Sequence, residues 1–332
     1  MKTTAKIYRS QSTNPWFNLA LEEELVNQVS KDEIILYLWQ NQNTVVIGKH
    51  QNPWREVLIT DLEKDQGKLA RRLSGGGAVF HDLGNLNFTF IMHKSRENLQ
   101  RQLKVILEGV KSLGIDAEFS GRNDILAEGR KFSGNAFYYG KENYYHHGTI
   151  LIDVDMTKLG RYLNVSLKKL KAKGVESVKS RVINLKDLNP KLTIPMTIDA
   201  ISDAFEREYG KCEEITMVSE ITASKKALER YRHYASWDWR FGKTPKFDVT
   251  FDEKFTWGEV VLNFALKDAL IEETTVYSDA MSTQFIEQLQ PLFNGLKLEN
   301  EPLQTALESL EDSDALKPMI HDLKAWLTDL KL

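Results

Sequence analysis

The stretch Arg71-Arg72-Leu73-Ser74-Gly75-Gly76-Gly77-Ala78-Val79-Phe80-His81-Asp82 restricts this chain more than any other. Three consecutive glycines stand between an apolar lead-in, Lys68 to Leu73, and the β-prone run Ala78-Val79-Phe80. Glycine weakens a strand, because it loses the most backbone entropy on ordering and has no side chain to pack. A triple glycine at such a junction therefore points to a place where something approaches the backbone closely. Arg71 and Arg72 stand just before it. Guanidinium forks beside bared N–H groups suit a phosphate or a carboxylate. The same residues also read as a glycine-rich hairpin or bulge, and the rest of the chain has to decide.

The 332 residues leave room for two domains at about 150 residues each. An apolar fraction of 42% and a charged fraction of 27% are those of an ordinary globular chain. A net charge of −3 lacks the basic excess of a nucleic-acid binder. Cys212 is the single cysteine, which excludes an internal disulfide framework and fits a reducing compartment. Met1 to Ser10 holds no apolar leader core, and no run is long and apolar enough to span a bilayer. The expectation is a cytoplasmic protein that engages neither nucleic acid nor membrane.

In chain order, Asn14-Pro15 opens a helix, with a cap residue ahead of proline at the first helical position. Its apolar stripe is Leu19, Leu21, Leu25 and Val26, with Glu22, Glu23 and Glu24 expected largely off it. Ile34 to Trp39 and Thr44 to Ile47 read as strands, Trp54 to Asp65 as a helix. Asn85 to Met92 alternates, with Leu86, Phe88, Phe90 and Met92 on one face. Asn98 to Leu113 is a helix closed by Gly114. From Asp116 to Asp155 the chain is β-rich, with turns at Glu128-Gly129 and Gly140-Lys141. Helices follow at Met156 to Leu163, Thr197 to Tyr209 and Ile221 to Ala235. The run Trp237 to Pro245 breaks the pattern, dividing residues 1–243 from 247–332. Trp237 and Trp239 are expected to anchor packing there. Beyond it come three strands and three helices, a small α+β unit.

A second informative stretch holds Gly121-Arg122-Asn123-Asp124-Ile125 and then Gly129-Arg130-Lys131-Phe132-Ser133-Gly134-Asn135-Ala136. Lys131 sits in a β-rich hairpin, where its ammonium either neutralises two reacting anions or is merely solvated. Asp124 reads as a ligand for Mg²⁺ or a ribose hydroxyl, or as a turn cap. His146 and His147 are adjacent, so on a strand they face opposite ways and make a poor metal pair. No Walker loop and no nucleophile elbow occurs. Lys168 to Arg181 is rich in lysine and arginine: a solvated segment, an electrostatic docking face, or a nucleotide-facing loop.

Four motifs, R-R-x-S-G-G-G-A-V-F-H-D at 71–82, R-N-D-I at 122–125, G-R-K-F-S-G-N-A at 129–136 and H-G-T-I at 147–150, occur in that order. Together they resemble the lipoate–protein ligases of the biotin/lipoate ligase superfamily, over nearly the whole chain. The resemblance implies an α+β fold: a large catalytic domain of mixed β-sheets with flanking helices, then a small C-terminal α+β accessory domain. It implies ATP-dependent conversion of lipoate to lipoyl-AMP, then transfer to a lysine of lipoyl domains of 2-oxoacid dehydrogenase complexes or of the glycine-cleavage H protein. By motif match, Arg72, Gly77, Ala78, Val79 and Phe80 contact the adenylate, and Gly75 and Gly76 let the loop close. Lys131 contacts both carboxylate and phosphate and is the catalytic residue. Asn123 and Asp124 lie at the nucleotide side, with Asp124 the candidate Mg²⁺ ligand, and His147 lies near the lipoyl-chain tunnel. Leu73, Val79, Phe80 and Phe88 are candidates to line a dry slot for that chain, and the Lys168 to Arg181 segment is the candidate lid. The rivals are an octanoyl or lipoyl transferase of the same fold, which uses a cysteine nucleophile and no ATP, a biotin ligase, and a non-catalytic protein that binds lipoyl domains. Cys212 lies far in sequence from every motif, which argues against the first.

Overall fold

The computed structural model describes residues 3–120, 124–163, 181–212, 214–242, 247–267, 270–310 and 315–330. Asn123 and the basic residues 168–180 of the candidate lid lie outside them. The chain forms two compact units. One comprises Met1–Ile47, Pro53–Arg72 and Ala78–Arg240; the other comprises Gly48–Asn52, Leu73–Gly77 and Phe241–Leu332. Two short loops from early in the sequence thus group with the later unit.

The first unit carries β1 (Thr4–Ser10), β2 (Glu33–Trp39), β3 (Thr44–Ile47), β4 (Lys68–Arg71), β5 (Val79–His81) and β6 (Asn85–His93). It continues with β7 (Glu118–Ser120), β8 (Asp124–Ala127), β9 (Arg130–Tyr139), β10 (Asn143–Leu151) and β11 (Ile215–Val218). Among the described residues an eight-stranded sheet runs in the order β11-β1-β2-β6-β10-β9-β8-β7, and a three-stranded sheet runs β4-β3-β5. Alternation along β6 sends Leu86, Phe88, Phe90 and Met92 into one core, as their spacing requires. Helices Leu99–Ser112 and Ile194–Tyr209 close that core with Leu103, Ile106, Ile201 and Phe205. Phe88 is therefore withdrawn as a lining residue for a ligand slot: it belongs to the helix-covered face.

Asn14 caps helix Pro15–Gln28 through its side chain, which accepts from Trp16 N–H. The expectation that its glutamates lie off the buried face is corrected: Glu22 is 1% and Glu24 3% exposed. The helix is covered on more than one side, because it also packs against helix Lys225–Ala235. The expected helix from Trp54 to Asp65 is two short ones, Pro53–Glu56 and Ile59–Lys64. The helix expected to begin at Ile221 begins at Lys225, capped by Ser224.

In the second unit β12 (Val249–Phe255), β13 (Gly258–Lys267) and β14 (Leu270–Ser278) form an antiparallel sheet. Helices Thr283–Leu292, Asn300–Glu308 and Lys317–Asp329 cover it, burying Phe264, Phe285, Leu289, Leu303, Leu307 and Trp326. Both units are mixed α+β. No helix among the described residues is long and apolar enough to cross a membrane.

Candidate functional site

The face of the large sheet opposite the core of Leu86, Phe88, Phe90 and Met92 holds Ile35 and Ile91 and, beyond them, a cluster of polar groups. It carries Tyr37 and Trp39 from β2, Asn87 and Thr89 from β6, and Tyr145, His147 and Thr149 from β10. Helix Pro15–Gln28 delivers Glu22 onto it. Trp39 Nε1–H donates to Thr89 Oγ1 at 3.0 Å, and Thr89 O–H donates to Glu22 Oε1 at 2.7 Å. His147 Nδ1 lies 2.9 Å from the same carboxylate oxygen. A carboxylate with a side chain only 2% exposed is expensive to bury unless hydrogen-bonded, and here it is held from two strands.

Arg72 belongs to the same neighbourhood. It is 6% exposed, its backbone N–H reaches Ile47 O at 3.0 Å, and its guanidinium reaches Val46 O at 3.2 Å. Burial pulls it down to about 10, opposed by Tyr145 and Glu22, so it stays charged at neutral pH. His81, on β5, is pushed down to about 3 by burial, then by Arg72 and by His147. It is therefore a neutral imidazole, with Nδ1 3.2 Å from Asn41 Nδ2 and Nε2 lacking a hydrogen-bond partner. The Arg71 guanidinium donates to the carbonyls of Trp239 and Arg240, both at 2.9 Å, and Trp239 Nε1–H returns a bond to Arg71 O.

Lys131 reaches this face through an irregularity. Across the β8–β9 pair, Ile125 faces Ser133 but Leu126 faces Lys131, so Phe132 is an extra residue. Such a bulge resets the alternation of a strand. Phe132 turns into the core, and Lys131 emerges on the side of Gly134. Its backbone is pinned along the other edge: Lys131 N–H donates to Arg181 O at 2.7 Å, and Ile183 N–H donates to Lys131 O at 2.9 Å. Its ammonium lies 2.7 Å from Asp124 Oδ1, both side chains partly exposed. Asp124 is directly opposite Gly134, whose N–H donates to Thr149 Oγ1 at 3.2 Å. A carboxylate, an ammonium and a hydroxyl thus surround a residue without a side chain.

The triple glycine is packed within the second unit. A Cβ on Gly75 would stand 2.2 Å from Ala280 O, and Gly76 has φ of +86°. Neither position accepts another residue without strain. Gly76 N–H is 3.4 Å from Ala280 O, and Lys49 N–H donates to Ser74 O at 3.0 Å. A Cβ on Gly77 would meet nothing within 4 Å.

Of the residues singled out from the sequence, Arg72, Asp124, Lys131 and His147 belong to the first unit and Gly75, Gly76 and Gly77 to the second. Ala78 and Val79 are half-buried at the start of β5, while Phe80 packs on Tyr162 at 5.5 Å, on the side of β5 away from His81. Asn123 is outside the described residues. Trp237 is 54% exposed, so Trp239 alone is the anchor expected of both. Glu22, Trp39, Thr89 and His81 escaped the sequence reading of the site; the polar Asn87 and Thr89 between the apolar Leu86, Phe88 and Phe90 of β6 were the available clue. Cys212 packs against the aliphatic core and is pushed up to about 11 by burial and by Glu206. That is the reverse of an activated nucleophile, and it removes support for the cysteine-dependent transferase.

Residues 14–206 match the family described as lipoyl protein ligase A/B catalytic domain, and residues 244–327 match bacterial lipoate protein ligase C-terminus. A lipoate-protein ligase A of Psychrobacter cryohalolentis is 41% identical over 97% of both chains. The crystal structure of P. falciparum LipL1 in complex with lipoate superposes with a TM-score of 0.85 at 31% identity, covering 97% of this chain and 99% of that one. A lipoate-protein ligase A bound with ATP shares the fold, with a TM-score of 0.61 at 24% identity over 73% of this chain and 99% of its own.

Proposed function

The chain belongs to the lipoate–protein ligase family, and we propose that it activates lipoate with ATP and joins the lipoyl group to a protein lysine. In the first step the lipoate carboxylate attacks the α-phosphorus of ATP, forming lipoyl-AMP and releasing pyrophosphate. In the second, the ε-amine of the acceptor lysine attacks the mixed anhydride, forming an amide and releasing AMP. Acceptors with an exposed lysine on a lipoyl domain of a 2-oxoacid dehydrogenase complex, or on the glycine-cleavage H protein, fit this chemistry. ATP dependence and the single cysteine fit a cytoplasmic setting.

The observation that carries the reading is the aim of Lys131: a bulge turns a flexible cation onto a sheet face that already holds Glu22 and His147, with the charged Arg72 near Glu22 and Tyr145. Bringing a carboxylate against a phosphate is opposed by charge, and fixed cations lower that barrier. Lys131 offsets the repulsion between the two anions, and Arg72 with the backbone of Gly75, Gly76, Gly77, Ala78, Val79 and Phe80 holds the adenylate. Asn123 and Asp124 serve the nucleotide side, and His147 orients along the lipoyl chain. Among the described residues no group of three or more His, Cys, Asp or Glu stands ready for a metal ion. Mg²⁺ arriving with ATP needs only one or two protein carboxylates, and Asp124 is the carboxylate beside Lys131. When bound, the ion neutralises phosphate charge.

The test is to mix the protein with lipoate and Mg-ATP and to look for bound lipoyl-AMP by mass spectrometry. Adenylate is expected, with pyrophosphate release dependent on lipoate, and Lys131→Ala should lower the rate at least about a hundredfold while the protein stays folded. Acyl transfer without ATP, or full-rate adenylation by Lys131→Ala, defeats the reading.

A further inference from the structure

Lys131 is engaged before any substrate arrives. Its ammonium is 2.7 Å from Asp124 Oδ1, and Asp124 stands across the strand pair from Gly134. At Gly134 a Cβ would come within 2.9 Å of Lys131 Nζ and 3.1 Å of Cε. The ammonium therefore occupies the space that a side chain at 134 would fill, bounded on one side by the Asp124 carboxylate. The pair is not a fold-stabilising device. Both side chains are more than a third exposed, 38% and 43%, and such pairs are weak. A weak, displaceable contact between two flexible groups suits a partner that holds a cation in place and then releases it.

We propose that Asp124 is a positioning residue for Lys131: it keeps the ammonium seated over Gly134 and yields it to the carboxylate of the incoming acyl substrate. The inference rests on the reading of Lys131 given above and adds what prepares it. Two consequences follow from charge alone. Asp124 competes with a substrate carboxylate for one cation, so its carboxylate weakens anion binding when neither ATP nor metal is present. It also removes rotamer freedom that a lysine otherwise loses during the reaction, so its loss slows adenylation even where affinity improves. A residue that only ligates metal, or only supports the hairpin, produces neither combination.

The experiment is calorimetric titration of lipoate into the full-length protein without ATP or divalent metal, comparing wild type, Asp124→Asn and Asp124→Glu. Neutral lipoamide is the control ligand. Asp124→Asn should bind lipoate up to about fivefold more tightly at low salt, the gain expected from releasing an exposed ion pair. The gain should vanish at about 1 M salt, where the screening length falls to about 3 Å. Lipoamide affinity should not change. At saturating lipoate and Mg-ATP, lipoyl-AMP formation by Asp124→Asn should be about tenfold slower, and Asp124→Glu should return both quantities toward wild type. Unchanged or weaker lipoate binding by Asp124→Asn overturns the proposal, including the case in which Asp124 serves only as a metal ligand. A parallel loss of lipoamide binding overturns it in favour of a structural role. Wild-type protein that binds no lipoate defeats the ligase reading itself, a separate result from equal binding by wild type and variant.

Discussion

Glycines in the two motifs are required for different reasons, and substitution should separate them. At Gly134 the atoms in the way are the far end of a flexible lysine. Gly134→Ala should therefore leave the melting temperature unchanged or raise it slightly, since alanine removes unfolded-state entropy. The same change should displace the Lys131 ammonium and slow adenylation about tenfold or more. At Gly75 the obstacle is backbone, Ala280 O at 2.2 Å and Met281 Cα at 2.9 Å, which cannot step aside. Gly75→Ala should lower stability by about 1–3 kcal/mol, seen as faster amide exchange across residues 73–77 and 278–281. An unperturbed exchange pattern in that variant shows that the loop is not seated on this backbone.

At the level of the strand, the bulge in β9 decides which groups meet. Regular alternation from Gly134 places Phe132 on the polar face and Lys131 in the aliphatic core. With one extra residue, the aromatic ring enters the core and the cation reaches the polar face. Deleting Phe132 leaves a regular strand in which Lys131 stands two residues from Gly134 and so on the same face, and a folded deletion variant should keep adenylation within about tenfold of wild type. The lost core ring should cost about 3–5 kcal/mol as well, so folding is checked by circular dichroism in the same samples. Adenylation reduced to the level of Lys131→Ala in a folded deletion variant rules out strand register as what aims Lys131. Helix Pro15–Gln28 supplies the matching lesson. Its glutamates look like a solvated face by composition, yet Glu22 is drawn inward because Thr89 and His147 wait on the sheet with hydrogen bonds to offer.

Across the whole protein, two buried histidines make stability depend on pH. His81 and His146 are both pushed down to about 3, chiefly by burial. His146 is wedged on the core face between Gln102 Oε1 at 2.9 Å and Asn135 Oδ1 at 2.8 Å, under the rings of Phe137 and Phe90. A neutral imidazole carries one N–H, so one of these two amides presents its NH₂ group instead. In the unfolded chain both histidines take up a proton near pH 6.5; in the folded chain they do so only near 3. Between those values the unfolded state binds more protons, so stability is present above pH 6.5 and falls as the medium becomes more acidic. Each histidine costs about 1.4 kcal/mol per pH unit in that window. Urea denaturation at pH 7 and pH 5 should differ by about 4 kcal/mol from this pair, and His146→Phe should flatten the slope by about half.

Several parts of this molecule were legible in its residues. The alternation of β6, the caps at Asn14 and Asn98, and the closing Gly114 are set by local preference and period, which act within one turn or one strand. The four motifs named the chemistry because their residue types, in that order, have a shared use. Other features depended on partners distant in the chain. The carbonyls that Arg71 binds belong to Trp239 and Arg240, 168 and 169 residues away. The partnership of Glu22 with His147 spans 125 residues. The seating of the triple glycine depended on Ala280, and the aim of Lys131 on a one-residue mismatch between two strands. Local sequence chose the groups that can do the reaction. Register and burial, which no local window contains, chose which of them point at one another.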